Sequence, residues 1–317
     1  MRYLVIFLIG LVPLFAAGQE DYTSFLVYGD AGTGDVNQYD VAKQMSATCE
    51  ASDCFFAIST GDNIYPSGVD SANDIQFVDK FEVPYFLMKK IHMFQAVGNH
   101  DLRGSVQAMV DYGKKSTKWT MPARYYPIKG LPEWISIFIL DTNGLLDGDK
   151  KQADEAKGYM CMSKARWKIL VGHHPIYSNG AHGDNSDLRK YLMPIINECG
   201  VQIYFAGHDH NQELITGETF IQIVQGASGR LRDMDKPAIM EDCKVQEFGR
   251  SELGFASVVA TPHLMGLDFV NNKGEVIYKR LIEYDNVGHH LECTPHQFTW
   301  YGKIWRWLIR KFETYLL

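Results

Sequence analysis

Residues 54–66 read Cys-Phe-Phe-Ala-Ile-Ser-Thr-Gly-Asp-Asn-Ile-Tyr-Pro. An apolar run of strand length stops at Gly61 and Asp62, and a polar loop follows. Runs of four to eight such residues closed by a turn signal read as buried strands. The same pattern recurs in SFLVYGD (24–30), HMFQAVGNHD (92–101), WISIFILDTN (134–143), RWKILVGHHP (166–175) and VQIYFAGHDH (201–210), then in FIQIVQGAS (220–228), FASVVATP (255–262) and EVIYKRLIEY (275–284). Between the early runs, residues 39–48, 106–114 and 187–198 carry apolar side chains at three- and four-residue spacing, which predicts helices. Strand and helix alternate early, and strands predominate after residue 201. The pattern predicts an α/β fold, a four-layer αββα sandwich of two mixed β-sheets flanked by helices.

At 317 residues and 46% hydrophobic, the chain can bury one large core. Its net charge of −7 and the lack of a basic run in the main body exclude a phosphate-backbone track, so no nucleic acid partner is expected. A small substrate fits better. The opening MRYLVIFLIGLVPLFAAGQE has one early positive charge, a short apolar stretch and then small residues. This is the layout of a signal peptide over residues 1–18; about 13 apolar residues fall short of the ~20 a spanning helix needs. The expected organisation is therefore a signal peptide, a catalytic domain over 19–286 and a tail over 287–317, in a protein exported to a secreted, periplasmic or other extracytoplasmic surface location. The six cysteines allow 15 pairings, and none has CxxC spacing. Cys49 and Cys54 could close a small loop, and unpaired buried thiols are the alternative.

Polar residues cluster at the carboxyl ends of the runs: Asp30, Asp62, Asn99 with His100, His173 with His174, and His208 with His210. Each alone reads as a turn, a cap or a hydrogen-bonded core histidine. Together they occupy five strand ends in order. Ligands bind outside the carboxyl ends of strands in α/β sheets, so the five loops should converge. Carboxylate, amide and imidazole donors without thiolates suit divalent or trivalent first-row metals. With Tyr65 added there are seven donors: Asp30, Asp62, Tyr65, Asn99, His173, His208 and His210. Seven is too many for one hydrolytic ion and suits two, with Asp62 the natural bridge.

The ordered set GD (29–30), GDNIY (61–65), GNHD (98–101), GHHP (172–175) and GHDH (207–210) resembles the purple acid phosphatase branch of the calcineurin-like metallophosphoesterases, and especially its small tartrate-resistant type. The resemblance runs from about residue 25 to 282 and implies the metallophosphoesterase fold. It implies one metal on Asp30, Tyr65, His210 and Asp62, typically Fe(III), and a second on Asn99, His173, His208 and the other oxygen of Asp62, typically Fe(II), Zn(II) or Mn(II). The ligand charges agree, since two carboxylates and a phenolate suit a trivalent ion while imidazoles and an amide suit a divalent one. The implied reaction is hydrolysis of phosphate monoesters by in-line attack of a metal-bound hydroxide, with a histidine as proton donor. His182 in SNGAHGD matches the family's substrate-facing histidine and is expected to be that donor. His100 is the expected phosphate contact, its ring oriented by Asp101. His174 is expected beside the site without ligating, and Arg103 and Arg230 in surface ion pairs.

Two departures stand out. Mammalian members read GDWGG where this chain reads GDAGTG, and their long cleavable loop is reduced here to LLDGDKKQADEAKG (145–158). Two other functions compete. A phosphodiesterase or nucleotide pyrophosphatase of the superfamily would begin with D-x-H, where this chain has DAG. A non-catalytic membrane-surface protein on the same scaffold would use the tail: residues 298–317 place basic residues along one stripe of a helix and aromatic residues around it, a pattern suited to peripheral membrane contact. Packing of that helix on the domain is the alternative reading.

Overall fold

The computed structural model describes residues 22–88, 91–234 and 244–287. The expected signal peptide, the tail beyond Val287, Cys243 and Cys293 lie outside the described residues. Two seven-stranded mixed sheets lie face to face. The first, in the order β14-β13-β12-β1-β2-β3-β4, contains β1 (Thr23–Tyr28), β2 (Phe56–Ser59), β3 (His92–Gln95), β4 (Trp119–Thr120), β12 (Gly254–Ala260), β13 (Leu264–Asn271) and β14 (Val276–Glu283). The second, in the order β11-β9-β10-β8-β7-β6-β5, contains β5 (Tyr126–Pro127), β6 (Ile135–Ile139), β7 (Trp167–Val171), β8 (Ile203–Ala206), β9 (Gln212–Thr216), β10 (Ile221–Gln225) and β11 (Val245–Arg250).

Two-residue alternation decides what faces what. In β6 and β7, Ile135, Ile137, Ile139, Trp167, Ile169 and Val171 point into the core between the sheets. Phe138 and Leu170 point the other way, into a second core under the helices. Phe25 of β1 meets Phe205 of β8 edge-on across the sandwich, with ring centroids 6.2 Å apart. Each such fully buried side chain contributes roughly 1.5–3 kcal/mol.

The expected helices form as α1 (Val36–Ser52), α2 (Val106–Tyr112) and α5 (Ser186–Cys199). Asp35 starts α1 by accepting from the amides of Asn37 and Gln38. The stretch read as a reduced loop is mostly helical: α3 (Thr142–Leu146) leads into α4 (Lys150–Met162). Gln152, Ala156 and Met160 recur at four-residue spacing and form the buried stripe of α4. Disulfides join Cys49 to Cys54 and Cys161 to Cys199, the second tying α4 to α5. No cysteine is free among the described residues, so the unpaired-thiol alternative does not hold for these four. No described helix is long and apolar enough to cross a membrane.

β1, β2 and β3 are mutually parallel, as are β6, β7 and β8. Their carboxyl ends bring five loops to one edge. Asp30 N donates to Gly61 O (2.9 Å) and Gly207 N to His173 O (2.9 Å), which locks neighbouring loops together.

Candidate metal centre

Three of the loop residues take backbone angles that side chains resist. Asp30, Asp62 and His208 have φ of 55°, 53° and 69°. Left-handed geometry costs a non-glycine residue on the order of 1–3 kcal/mol and concentrates at functional sites. Gly98 shows why the approach is so close, since a Cβ there would meet the Asp62 backbone and carboxylate at 2.1 Å.

All seven donor residues meet at this edge, in two groups. Tyr65 Oη donates within reach of Asp62 Oδ2 (2.9 Å) and Asp30 Oδ1 (3.1 Å), and lies 3.2 Å from His210 Nε2. His210 Nε2 is 3.4 Å from Asp30 Oδ1. In the second group, Asn99 Oδ1 lies 3.0 Å from both His173 Nε2 and His208 Nδ1, and those two nitrogens are 3.2 Å apart. Asp62 stands between, with Oδ2 on Tyr65 and Oδ1 3.5 Å from His173 Nε2. Ligand atoms of Asp30, Asp62 and His173 all lie within 4.8 Å of one another.

His173 Nδ1 donates to Thr60 O at 3.0 Å, so Nε2 turns its lone pair into the cluster. His208 N donates to Asp30 Oδ2 at 2.9 Å and ties the groups together. His174 lies beside the cluster, its Nδ1 2.8 Å from Thr142 Oγ1.

Burial and mutual repulsion set the charges. Burial first, then the charge of Asp62, raises the Asp30 carboxyl well above its usual range; burial also raises Asp62. Tyr65 is pushed up by burial and by the two aspartates. Burial lowers His173 and His208, and it lowers His210 to about 4 with help from the nearby Arg232 charge. Burial thus favours the protonated acids and the neutral imidazoles, as expected of oxygen and nitrogen donors packed together out of water. A bound cation reverses the first effect and uses the second, since it keeps carboxylates ionised and takes neutral imidazoles. The donor set thus fits metal ions.

His182 lies at the rim. Its ring stacks on His208 with centroids 3.9 Å apart, and Nδ1 lies 2.7 Å from Asp209 Oδ1. Asp209 is buried and also accepts from Ser178 Oγ and from His182 N. Asp209, the third residue of GHDH, is a site residue that the strand-end pattern does not mark. His100 presents Nε2 to Asp62 Oδ2 at 4.0 Å because Nδ1 donates to Pro66 O (2.7 Å).

Two expectations are corrected. Asp101 does not orient His100; it is buried and accepts from Gly98 N (2.9 Å), Asn63 N (3.0 Å) and Ile64 N (3.2 Å), stapling two motif loops together. Arg103 and Arg230 make no surface ion pair among the described residues. Arg103 donates to Pro66 O, and the Arg230 guanidinium sits 4.1 Å from the centre of the Tyr65 ring.

A two-sheet sandwich with a metal-donor cluster at its parallel strand ends defines a phosphoesterase scaffold, and residues 23–212 match the calcineurin-like phosphoesterase family. The chain belongs to that family. Within it the chain stands with the purple acid phosphatases of the small, tartrate-resistant type. It is 31% identical to purple acid phosphatase 17 of Arabidopsis thaliana, covering 83% of this chain and 85% of the relative. It is 28% identical to the tartrate-resistant acid phosphatase type 5 of Mus musculus, covering 75% and 81%. Among solved structures it is similar to GAP50, described as the anchor in the inner membrane complex of Plasmodium, with a TM-score of 0.76, 25% identity and coverage of 83% and 89%.

Proposed function

We propose that the protein is an exported, binuclear-metal acid phosphatase that hydrolyses phosphate monoesters. The division of the other six donors into two groups, one meeting each oxygen of Asp62, carries this reading. Asp30, Tyr65, His210 and Asp62 would hold ferric iron; Asn99, His173, His208 and Asp62 would hold ferrous iron, zinc or manganese. Ions so held supply an activated water and positive charge for the phosphoryl oxygens. The remaining work falls to side chains. His100 Nε2 faces the cluster and would hold a phosphoryl oxygen. His182, oriented by Asp209, would protonate the leaving alkoxide, and its deprotonation would limit activity on the alkaline side. The two disulfides suit an oxidising compartment.

Metal analysis with an absorption spectrum tests the assignment. A visible phenolate-to-iron band that disappears in Tyr65→Phe is the expected result. Two equivalents of zinc with no band would favour the phosphodiesterase alternative, which relative turnover of p-nitrophenyl phosphate and its bis ester would then decide.

A second reading, a membrane-surface protein contacting lipid through residues 298–317, is favoured by the likeness to the Plasmodium anchor. It is compatible with catalysis. Liposome co-sedimentation of the intact chain against a chain ending at Asn286 separates membrane contact from packing of the tail on the domain, and equal behaviour removes membrane contact.

A further inference from the structure

The turn that carries His182 rests on two buried carboxyl groups. One is Asp209, which accepts from His182 N and lies against His182 Nδ1. The other is Glu213 on β9, fully buried and three residues beyond the donor His210. Its Oε2 accepts from Asn179 N (3.1 Å), from Asn179 Nδ2 (3.2 Å) and from Gln246 Nε2 of β11 (2.7 Å). Its Oε1 accepts from Asn211 Nδ2 (2.9 Å) and lies 3.1 Å from Ser178 Oγ. Every one of these partners is neutral. A carboxyl group out of water and met only by neutral groups favours its protonated form. Burial accordingly raises the Glu213 carboxyl, against the pull of the hydrogen bonds from Asn179, Asn211 and Ser178.

Ser178 stands between the two carboxyl groups. Its Oγ donates to Asp209 Oδ2, accepts from Gly180 N (2.9 Å) and touches Glu213 Oε1. A hydroxyl has one proton and cannot donate to both carboxyl groups. With a proton on Glu213 Oε1, all three contacts of Ser178 Oγ are satisfied: Glu213 and Gly180 N donate to its two lone pairs, and the serine proton lies on Asp209. The turn around them is tight. Asp184 Oδ1 accepts from Ser178 N (3.0 Å), and Asp184 pairs in turn with Lys244. A Cβ added to Gly180 would meet Asp209 Cγ at 2.6 Å.

We propose that Glu213 is a positioning residue for His182, a neutral acid that donates to Ser178 Oγ and so commits the serine proton to the Asp209 carboxylate that orients the imidazole. The proposal rests on the reading of the centre as a phosphatase with His182 as proton donor. Loss of Glu213 lets the hydroxyl turn away, and Asp209 then holds the imidazole by one oxygen while the other is left unpaired in a dry site. Glutamine at this position keeps a donor toward Ser178 and an acceptor toward Asn179 and Gln246. It therefore mimics the acid and not the carboxylate.

The test uses the metal-loaded full chain, with kcat and KM measured for ethyl phosphate and p-nitrophenyl phosphate. In Glu213→Ala and in Ser178→Ala, kcat for ethyl phosphate should fall about tenfold with KM nearly unchanged, as expected for losing a hydrogen bond to a charged group. The fall for p-nitrophenyl phosphate, whose leaving group needs no proton, should stay under about threefold. The double variant should lose no more than either single one, because Glu213 acts through Ser178. Glu213→Gln should keep most of the native kcat. NMR of the zinc-loaded full chain supplies a readout independent of turnover. The downfield resonance of the His182 Nδ1 proton, identified by its loss in His182→Ala, should persist in Glu213→Gln and broaden or move upfield in Ser178→Ala and Glu213→Ala. Equal loss for both substrates, additive losses in the double variant, or a resonance indifferent to both residues overturns the proposal. If Glu213→Ala fails to fold, Ser178→Ala and Glu213→Gln carry the comparison, and a Glu213→Gln chain as impaired as Ser178→Ala overturns it. If neither ester is turned over while the resonance still depends on Ser178 and Glu213, the phosphatase reading fails and the positioning of His182 by Glu213 stands.

Discussion

Tyr65, grouped with Asp30 and His210, meets one oxygen of Asp62; His173, grouped with Asn99 and His208, approaches the other. Both groups draw on both sheets and sit at the same edge, the first fully buried and the second buried at His173 and half-buried at Asn99 and His208. They differ in charge: the first can carry a carboxylate and a phenolate, the second only an amide and imidazoles. The parallel strands therefore set where the donors meet, while the residue type at each strand end sets what they can bind. His182, the proposed proton donor, lies on the imidazole side, stacked on His208.

Removing the shared residue should have the largest effect. On the proposed assignment Asp62→Ala removes the ligand common to both groups, and turnover of p-nitrophenyl phosphate should fall by about a thousandfold or more, since metal assistance supplies several kcal/mol. Retention of both metals and most activity would show that the halves are independent sites. A smaller effect should touch the imidazole side alone. In Asp209→Asn the carboxylate that orients His182 is lost while every donor remains. We expect kcat for alkyl phosphates to fall by roughly a hundredfold, the low end of general acid catalysis, with KM nearly unchanged. The loss should shrink for p-nitrophenyl phosphate, whose leaving group needs no proton, and any iron band should be unaltered. Equal loss for both substrates would make Asp209 structural rather than positional.

Much of this was legible in the sequence because the signals are local. Apolar runs closed by Gly-Asp or Gly-His gave the strands, while the division of 135–139 and 167–171 between two cores emerges only in the fold. The donor residues stand directly at those strand ends. What escaped depends on tertiary approach. The polar stretch 145–158 hides a helix whose buried stripe is Gln152, Ala156 and, just beyond the stretch, Met160, because only three positions of α4 face inward. Asp101 sits beside His100 in sequence, yet its loop folds so that it meets the amides of Gly98, Asn63 and Ile64. Arg230 and Arg232 look like ordinary surface charges until the loop 226–232 is laid on Gly29 and His210.

The smallest expected effect is a pH-dependent thermal shift, and it tests the electrostatics of both halves together. Without metal, burial and the Asp62 charge raise Asp101 to about 7, and burial raises Asp30 and Asp62 as well. Unfolded aspartates titrate near ~3.9, so the folded chain keeps protons that the unfolded chain has released. The stability these groups contribute is fully present below ~4 and is lost as pH rises through their raised values, about 7 for Asp101. The histidines run the other way. His173 and His208 are held neutral when folded, so below the unfolded value of ~6.5 they cost stability, which returns as pH rises. The two trends oppose each other, and the metal-free protein should vary little between pH 5 and 8. Metal ions change one trend only: they hold the carboxylates ionised and abolish the loss at higher pH, while at low pH protons compete for the same oxygens. The rise in Tm on metal loading should therefore be larger at pH 8 than at pH 5, by roughly 2–4 °C for each kcal/mol of linkage. An equal rise at both pH values would mean that binding displaces no protons, which would place the ions away from Asp30 and Asp62.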